Sequence, residues 1–254
     1  MTHLLPLLLV LGACKPVLPT SPLVADPAPL VARALAEPTP APVYSNFSAI
    51  LQLPDQSMSL QGTLLVQAPD RFRIELRGPI GPAQVIVTCN GTDATTWIAP
   101  QNNFVLLPDA NAVFGSLLGA GEGVSGAAAA TSLLLGRLPL LPGTPTLGAS
   151  GSVATAAWAR ADGARFEASV DSRTAHLVGA RATEAAGALL LQAEWLPGDF
   201  PTTMTVTLPT LGVQAYIRYA EWKPATPDPA LFVGVAPPGA QIKTLDLSAP
   251  QPEP

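Results

Sequence analysis

Hydrophobic and polar positions alternate along much of this chain with a period of two. Between 71 and 77 the apolar residues Phe72, Ile74 and Leu76 interleave with Arg71, Arg73, Glu75 and Arg77. That is the pattern of a strand with one dry face and one wet face. The stretch before it sets Leu60, Leu64 and Val66 against Gln61, Thr63 and Gln67. Similar segments occupy 46–53, 83–89, 94–99, 103–107, 152–158, 164–170, 175–182, 188–196, 202–208 and 212–222. Pro69-Asp70, Asn90-Gly91, Asp162-Gly163 and Pro197-Gly198 break the pattern between them, as turn residues do. Short strands with one apolar face predict a mainly β fold: one unclosed antiparallel barrel, or strongly curved sheet, of about eleven strands.

The period changes near the middle. From Asp109 to Leu118 a capping aspartate precedes Val113 and Leu117, then Phe114 and Leu118, each pair four residues apart, which predicts a helix. Ser125 to Leu135 is alanine-rich and stops at Gly136, ahead of Pro139, a second helix with a glycine terminator. A concave apolar sheet with two apolar helices describes a container with a lid. It equally describes a filled barrel whose helices complete an ordinary core. Prolines crowd 14–43, predicting an extended tether with a weakly signalled helix at 30–36, and 248–254 is a second proline-rich tail. The folded unit is therefore expected over 44–247.

Composition narrows the function. The 254 residues are 48% hydrophobic and only 12% charged, with net charge −5 and no Lys/Arg cluster. A nucleic-acid partner, which needs a basic footprint, is excluded on that ground. The apolar run Leu4 to Leu11 is too short to cross a bilayer, which takes about 20 residues, and reads as the core of a secretory signal over 1–13. Leu11-Gly12-Ala13-Cys14 then resembles the lipobox of bacterial lipoproteins, which implies an acylated Cys14; two or more acyl chains hold stably in a membrane. An ordinary cleaved signal with a chance cysteine is the other reading. Lys15 stands where an aspartate would favour inner-membrane retention, so the resemblance implies an outer-membrane anchor facing the periplasm. Cys89 is then the lone thiol, and its place in the alternation Val85, Val87, Cys89 reads as a small buried hydrophobe.

Chemistry is sparse. Past the signal the chain has one histidine, His176, and no metal-ligand cluster, Gly-x-Ser-x-Gly elbow or Walker loop. Asp162, Asp171, Glu184 and Asp199 sit at turns or strand edges, with no spacing that proposes an acid/base pair. Neither catalysis, a metal nor a cofactor is expected. Arg71, Arg73 and Arg77 share a strand face with Glu75, either as a solvated outer surface or as contacts for lipid phosphates or an acidic partner.

Three segments carry a resemblance. Pro69-x-Arg71-Phe72-Arg73-Ile74-Glu75-Leu76 leads into Gly78-Pro79-Ile80-Gly81 and a further strand; Leu133-Leu134-Leu135-Gly136-Arg137-Leu138-Pro139 follows the second helix; Phe232 to Leu245 contains Pro238-Gly239. Together they resemble the LolA/LolB family of lipoprotein carriers and receptors over most of 44–245, and within it the outer-membrane receptor most. The resemblance implies an unclosed antiparallel barrel with a helical lid over a cavity for acyl chains. It implies that Ile80, on the Pro/Gly loop, meets the bilayer; the other reading folds Ile80 back onto the sheet edge. The carrier's basic residue before the strand-pair proline is replaced here by Ala68, which favours a receptor or a relative with different cargo.

On this reading the ligand is an acyl chain of a lipoprotein or lipid, and the partner a periplasmic LolA-like carrier; the chain itself is a monomer. Alternation assigns Leu64, Val66, Phe72, Ile74, Leu76, Val85, Val87, Phe166, Leu189, Leu191, Val206 and Ile217 to the cavity lining. Leu117, Leu118, Leu133 and Leu134 are assigned to the lid. Carriage of a different lipid, or a structural lipoprotein with a filled barrel, are the alternatives; cavity volume separates them.

Overall fold

One residue in two along β1 (Val43–Leu53) and β2 (Gln56–Gln67) is buried or half-buried and apolar, and the same alternation recurs across a single sheet of 14 strands. A computed structural model of the chain describes residues 22–78, 81–118 and 125–245. The first half continues through β3 (Arg71–Arg77), β4 (Ala83–Asn90), β5 (Ala94–Ile98) and β6 (Asn103–Leu107). Helices α2 (Ala110–Leu117) and α3 (Gly126–Leu134) follow. The second half comprises β7 (Thr146–Ser150), β8 (Val153–Ala159), β9 (Arg165–Asp171), β10 (Leu177–Thr183), β11 (Leu189–Leu196), β12 (Thr203–Leu208) and β13 (Val213–Pro224). Each half is an antiparallel meander, and β1 pairs with β13 to join them. The free edges are β7 at one end and β14 (Gln241–Thr244), added parallel to β6, at the other. The sheet is curved and unclosed.

The strand count exceeds the expected eleven or so, and the extra members explain why. Thr146-Leu147-Gly148-Ala149-Ser150 has one large apolar side chain, and Gln241-Ile242-Lys243-Thr244 is exposed throughout. Edge strands need bury no face, so they leave no alternation to read.

The helices form where the caps predict. Asp109 accepts a hydrogen bond from the Ala112 N–H, and Ser125 from the Ala128 N–H, which satisfies otherwise orphaned donors. Gly136, at φ +66, ends α3 in the left-handed region. Small residues let helices and sheet approach closely: Ala154, Ala156, Ala168, Ala180 and Ala182 are all at most 5% exposed.

The expected tether is shorter than its prolines suggest. Residues 28–35 form a helix, α1 (Ala28–Leu35), that packs on β8 and β9 through the buried Val31 and Ala34. Pro27 starts it without disruption because the first helical turn has no intrahelical donor to lose there. Glu37 then pairs with Arg137 at 3.0 Å, and Arg137 also donates to the Pro38 carbonyl. Residues 22–42 thus belong to the folded unit.

A strap formed by 225–245 crosses the outer face of the sheet. Phe232, 1% exposed, is buried there, beside β3 and β4 and apart from the main core. Arg73 donates to the Leu231 carbonyl, and Asn102 to the Gly239 carbonyl. Gly234 has no room for a side chain: a Cβ there would collide with the Thr95 side chain. Gly234→Val is therefore expected to lift the strap, lowering stability by about 1–3 kcal/mol. Thermal unfolding measures the loss, and limited proteolysis should show faster cleavage within 225–245.

Candidate apolar binding site

Inner side chains form rows across the sheet, and the rows differ in burial. The row at one end runs Val43, Val66, Phe72, Cys89 and Ala94 in direct register, and every member is buried. Two residues further along each strand the row is Ser45, Leu64, Ile74, Val87 and Thr96; two further it is Phe47, Gly62, Leu76, Val85 and Ile98. From Ile74, Val87 and Thr96 onward the members of β3, β4 and β5 are only half-buried. The second half repeats the gradient. Trp195, Met204 and Tyr219 are buried, whereas Leu191, Val206, Ala215 and Ile217 are half-buried. On β1 and β2, Leu51, Leu53 and Met58 are half-buried too.

The cause is the placement of the helices. α3 packs on β3 and lies beside α2, and Phe72 packs against Phe114 of α2 with its ring tilted and 5.6 Å between ring centres. One end of the concave face is therefore sealed. The other end is left as an apolar trough, whose deepest part is a cavity of about 190 Å³ lined by Phe47, Ala49, Leu51, Leu60, Leu64, Ile74, Leu76, Leu134, Met204, Ala215, Ile217 and Tyr219. No charged side chain lines it. The Tyr219 hydroxyl is the one polar group at its wall; burial pushes its pKa well up, so it stays neutral. Its nearest partner is Met204 Sδ at 4.0 Å.

The residues assigned from alternation divide accordingly. Leu64, Ile74, Leu76 and Ile217 line the cavity, and Leu134 reaches it from α3. Val85, Val87, Leu189, Leu191 and Val206 are half-buried, with Val87, Leu191 and Val206 packed against the core. Val66, Phe72 and Phe166 are no more than 3% exposed and belong to the sealed end. Their faces are as expected, but helices and neighbouring strands consume them as core. Leu118 and Leu133 are likewise core, at 4% and 7% exposure. The side chain of Leu117, and the whole of Cys14 and Ile80, lie outside the described residues. Leu60 was read on the apolar face of β2 without being assigned to the cavity, and Phe47, Ala49, Leu51, Met204, Ala215 and Tyr219 were not singled out by sequence. Their alternation within β1, β12 and β13 was visible, but the β1–β13 pairing that brings them to one wall was not.

A larger groove, of about 690 Å³, lies on the far side of α3, between that helix, the end of α1 and the Ala68–Pro69 turn. Its lining mixes Leu35, Leu138 and Leu141 with Ser125, Ser132, Glu37 and Arg137. The Glu37–Arg137 pair ties the chain after α1 to the end of α3, which makes this groove a seam between elements. Cys89 sits in the sealed end, where burial raises its thiol pKa, reinforced by the Asp70 and Asp93 charges and opposed by the Gly91 N–H; it is an inert core thiol. His176 faces Glu37 at 3.6 Å. Among the described residues no three His, Cys, Asp or Glu side chains converge as metal ligands.

No family model and no curated protein matches the sequence. Solved structures do share the fold. A DUF1329 family protein from Desulfovibrio piger superposes with a TM-score of 0.54 at 11% identity, covering 82% of this chain and 98% of that one. A LolA superfamily protein from Nitrosomonas europaea does so with a TM-score of 0.51 at 13% identity, covering 83% and 99%. The mainly β, unclosed, helix-lined fold of this chain is thus shared with both of these proteins.

Proposed function

We propose that this chain is a non-catalytic binding protein for acyl chains, carried on a lipid or a lipoprotein, which it holds in the trough. The observation that carries the reading is the burial gradient. A dozen apolar side chains face inward on a concave wall, and those at the open end are left half-covered by the chain itself. Apolar surface arranged this way is stabilised by covering it, at about 25 cal/mol per Å². Each methylene of a docked chain adds roughly 0.8 kcal/mol, so no covalent step is needed for capture or release. The fold shared with LolA superfamily structures supports the same reading.

The cavity at the bottom of the trough, at about 190 Å³, is smaller than the roughly 300–1,000 Å³ of ordinary ligand sites. A long acyl chain therefore extends along the open trough or displaces Leu134 and α3. The smallness of that cavity also favours a second reading, an envelope scaffold whose barrel is filled. Cell localisation rests on sequence. Acylated Cys14 with Lys15 places the protein on the outer membrane facing the periplasm, where a LolA-like carrier supplies cargo and Ile80 touches the bilayer during release. Extraction of the purified full chain followed by lipid mass spectrometry tests the proposal. Stoichiometric acylated species beyond the chain's own anchor support it. A lipid-free protein that also ignores added fluorescent fatty acid favours the scaffold.

A further inference from the structure

The outer face of the sheet carries a second feature, independent of the trough. Arg77 lies directly opposite Gln61, Gln61 opposite Ser48, and Ser48 opposite Arg218. These four residues form one row across β3, β2, β1 and β13, and all four side chains are exposed. With strands about 4.8 Å apart, the two arginines stand roughly 14 Å apart at their Cα atoms. Two guanidinium groups leaning together over Gln61 and Ser48 can grip one oxyanion from both sides. The surface is dished here: Arg77 and Arg218 line a depression of about 360 Å³ together with Asn46, Ser48 and Gln61.

Charge bears on what the row can hold. Arg73, Arg137, Arg160 and Arg165 each pair with a carboxylate, whereas Arg77 and Arg218, like Arg71 and Arg181, have no ion pair among the described residues; Arg77 and Arg218 share one strand row and one depression. No Asp or Glu lines the depression. In a chain of net charge −5, two cations thus face water across one depression, among amide and hydroxyl donors. A neighbouring depression shares Ser48, Gln61 and Arg218 and adds Ile50 and Tyr216, exposed by 45% and 44%. The groove therefore runs from a cationic end to an apolar one.

We infer that this outer groove is a binding site for a phosphate-bearing ligand, gripped by Arg77 and Arg218, with Gln61 and Ser48 as hydrogen-bond donors. Arginine forks match phosphate oxygens in pairs. The phosphate is either a lipid headgroup or a soluble ester, and two arms separate these sources. In the first, the purified full chain is titrated with inorganic phosphate at constant ionic strength, followed by the Nε–H resonances of its arginines. In the second, it is titrated with dihexanoyl-phosphatidylglycerol or dihexanoyl-phosphatidylcholine below their micelle concentrations, followed by the same resonances.

Phosphate should shift the Arg77 and Arg218 resonances saturably, and Arg77→Gln or Arg218→Gln should each weaken binding at least about tenfold. Arg181→Gln, on β10 three strands from Arg218, removes the same charge elsewhere and should change binding less than about twofold. If dihexanoyl-phosphatidylglycerol binds at least about tenfold more tightly than inorganic phosphate and the same two variants lose it, the ligand is a lipid headgroup; if it binds no more tightly, the ligand is a soluble ester. Absence of saturable shifts, or an equal loss in Arg181→Gln, overturns the inference. Circular dichroism of each variant confirms folding, which exposed Gln substitutions preserve.

Discussion

Phe166→Ala should destabilise the protein by about 3–5 kcal/mol while leaving acyl-chain affinity within about twofold of wild type. Phe166 is 1% exposed, and its ring lies 6.1 Å from that of Trp158. Its strand neighbours in register, Trp158 and Ala182, are buried as well. Removing the ring leaves a void that close-packed alanines on β8 and β10 have few atoms to fill, so the cavity cost adds to the lost transfer energy. The position shares its inward alternation with trough residues but lies in the sealed half. Chemical unfolding reads the first effect, and titration with a fluorescent fatty acid below the unfolding transition reads the second.

Ile217→Glu is expected to do the reverse. Ile217 is half-buried between Ala49 and Met204 and lines the cavity. A carboxylate there keeps its hydration by facing the open end, so stability should fall only by about 1–2 kcal/mol. An acyl chain laid along the trough would strip that water from a charge with no partner, a cost of several kcal/mol. Affinity should drop at least about a hundredfold, equivalent to roughly 2.7 kcal/mol. The two substitutions together separate a residue that holds the fold from one that holds the ligand. If both variants changed stability and affinity in parallel, the division of the concave face into sealed and open halves would be wrong.

Alternation made most of the sheet legible. Phe72, Ile74 and Leu76 do face inward, and Arg71, Arg73, Glu75 and Arg77 do not, because a half-buried strand allows no other pattern. The caps at Asp109 and Ser125 were equally readable, since a single side chain and a backbone N–H define each. What alternation could not convey is which inward residues the helices cover. Phe72 and Leu76 look alike in sequence, yet Phe114 seals the first while the second lines the cavity. That distinction depends on where α2 and α3 come to rest, a property of tertiary packing. α1 was obscured by flanking prolines, and the strap by its short, irregular course; Phe232 finds its site on the outer face, where periodicity predicts only polar residues. Arg218 lies 141 positions beyond Arg77 in sequence, and only the β1–β13 pairing places both in one row.

The most direct test of the central claim is methyl NMR of the purified full chain, selectively labelled at Ile, Leu and Val, during titration with palmitate. Saturable shifts are predicted at Leu51, Leu76, Leu134, Val206 and Ile217, the methyls of the open trough. Val66 and Val170, in the sealed half, should stay within the range of small indirect changes. Absence of saturable shifts in the trough, or shifts concentrated in the sealed half or on the outer face, would contradict it.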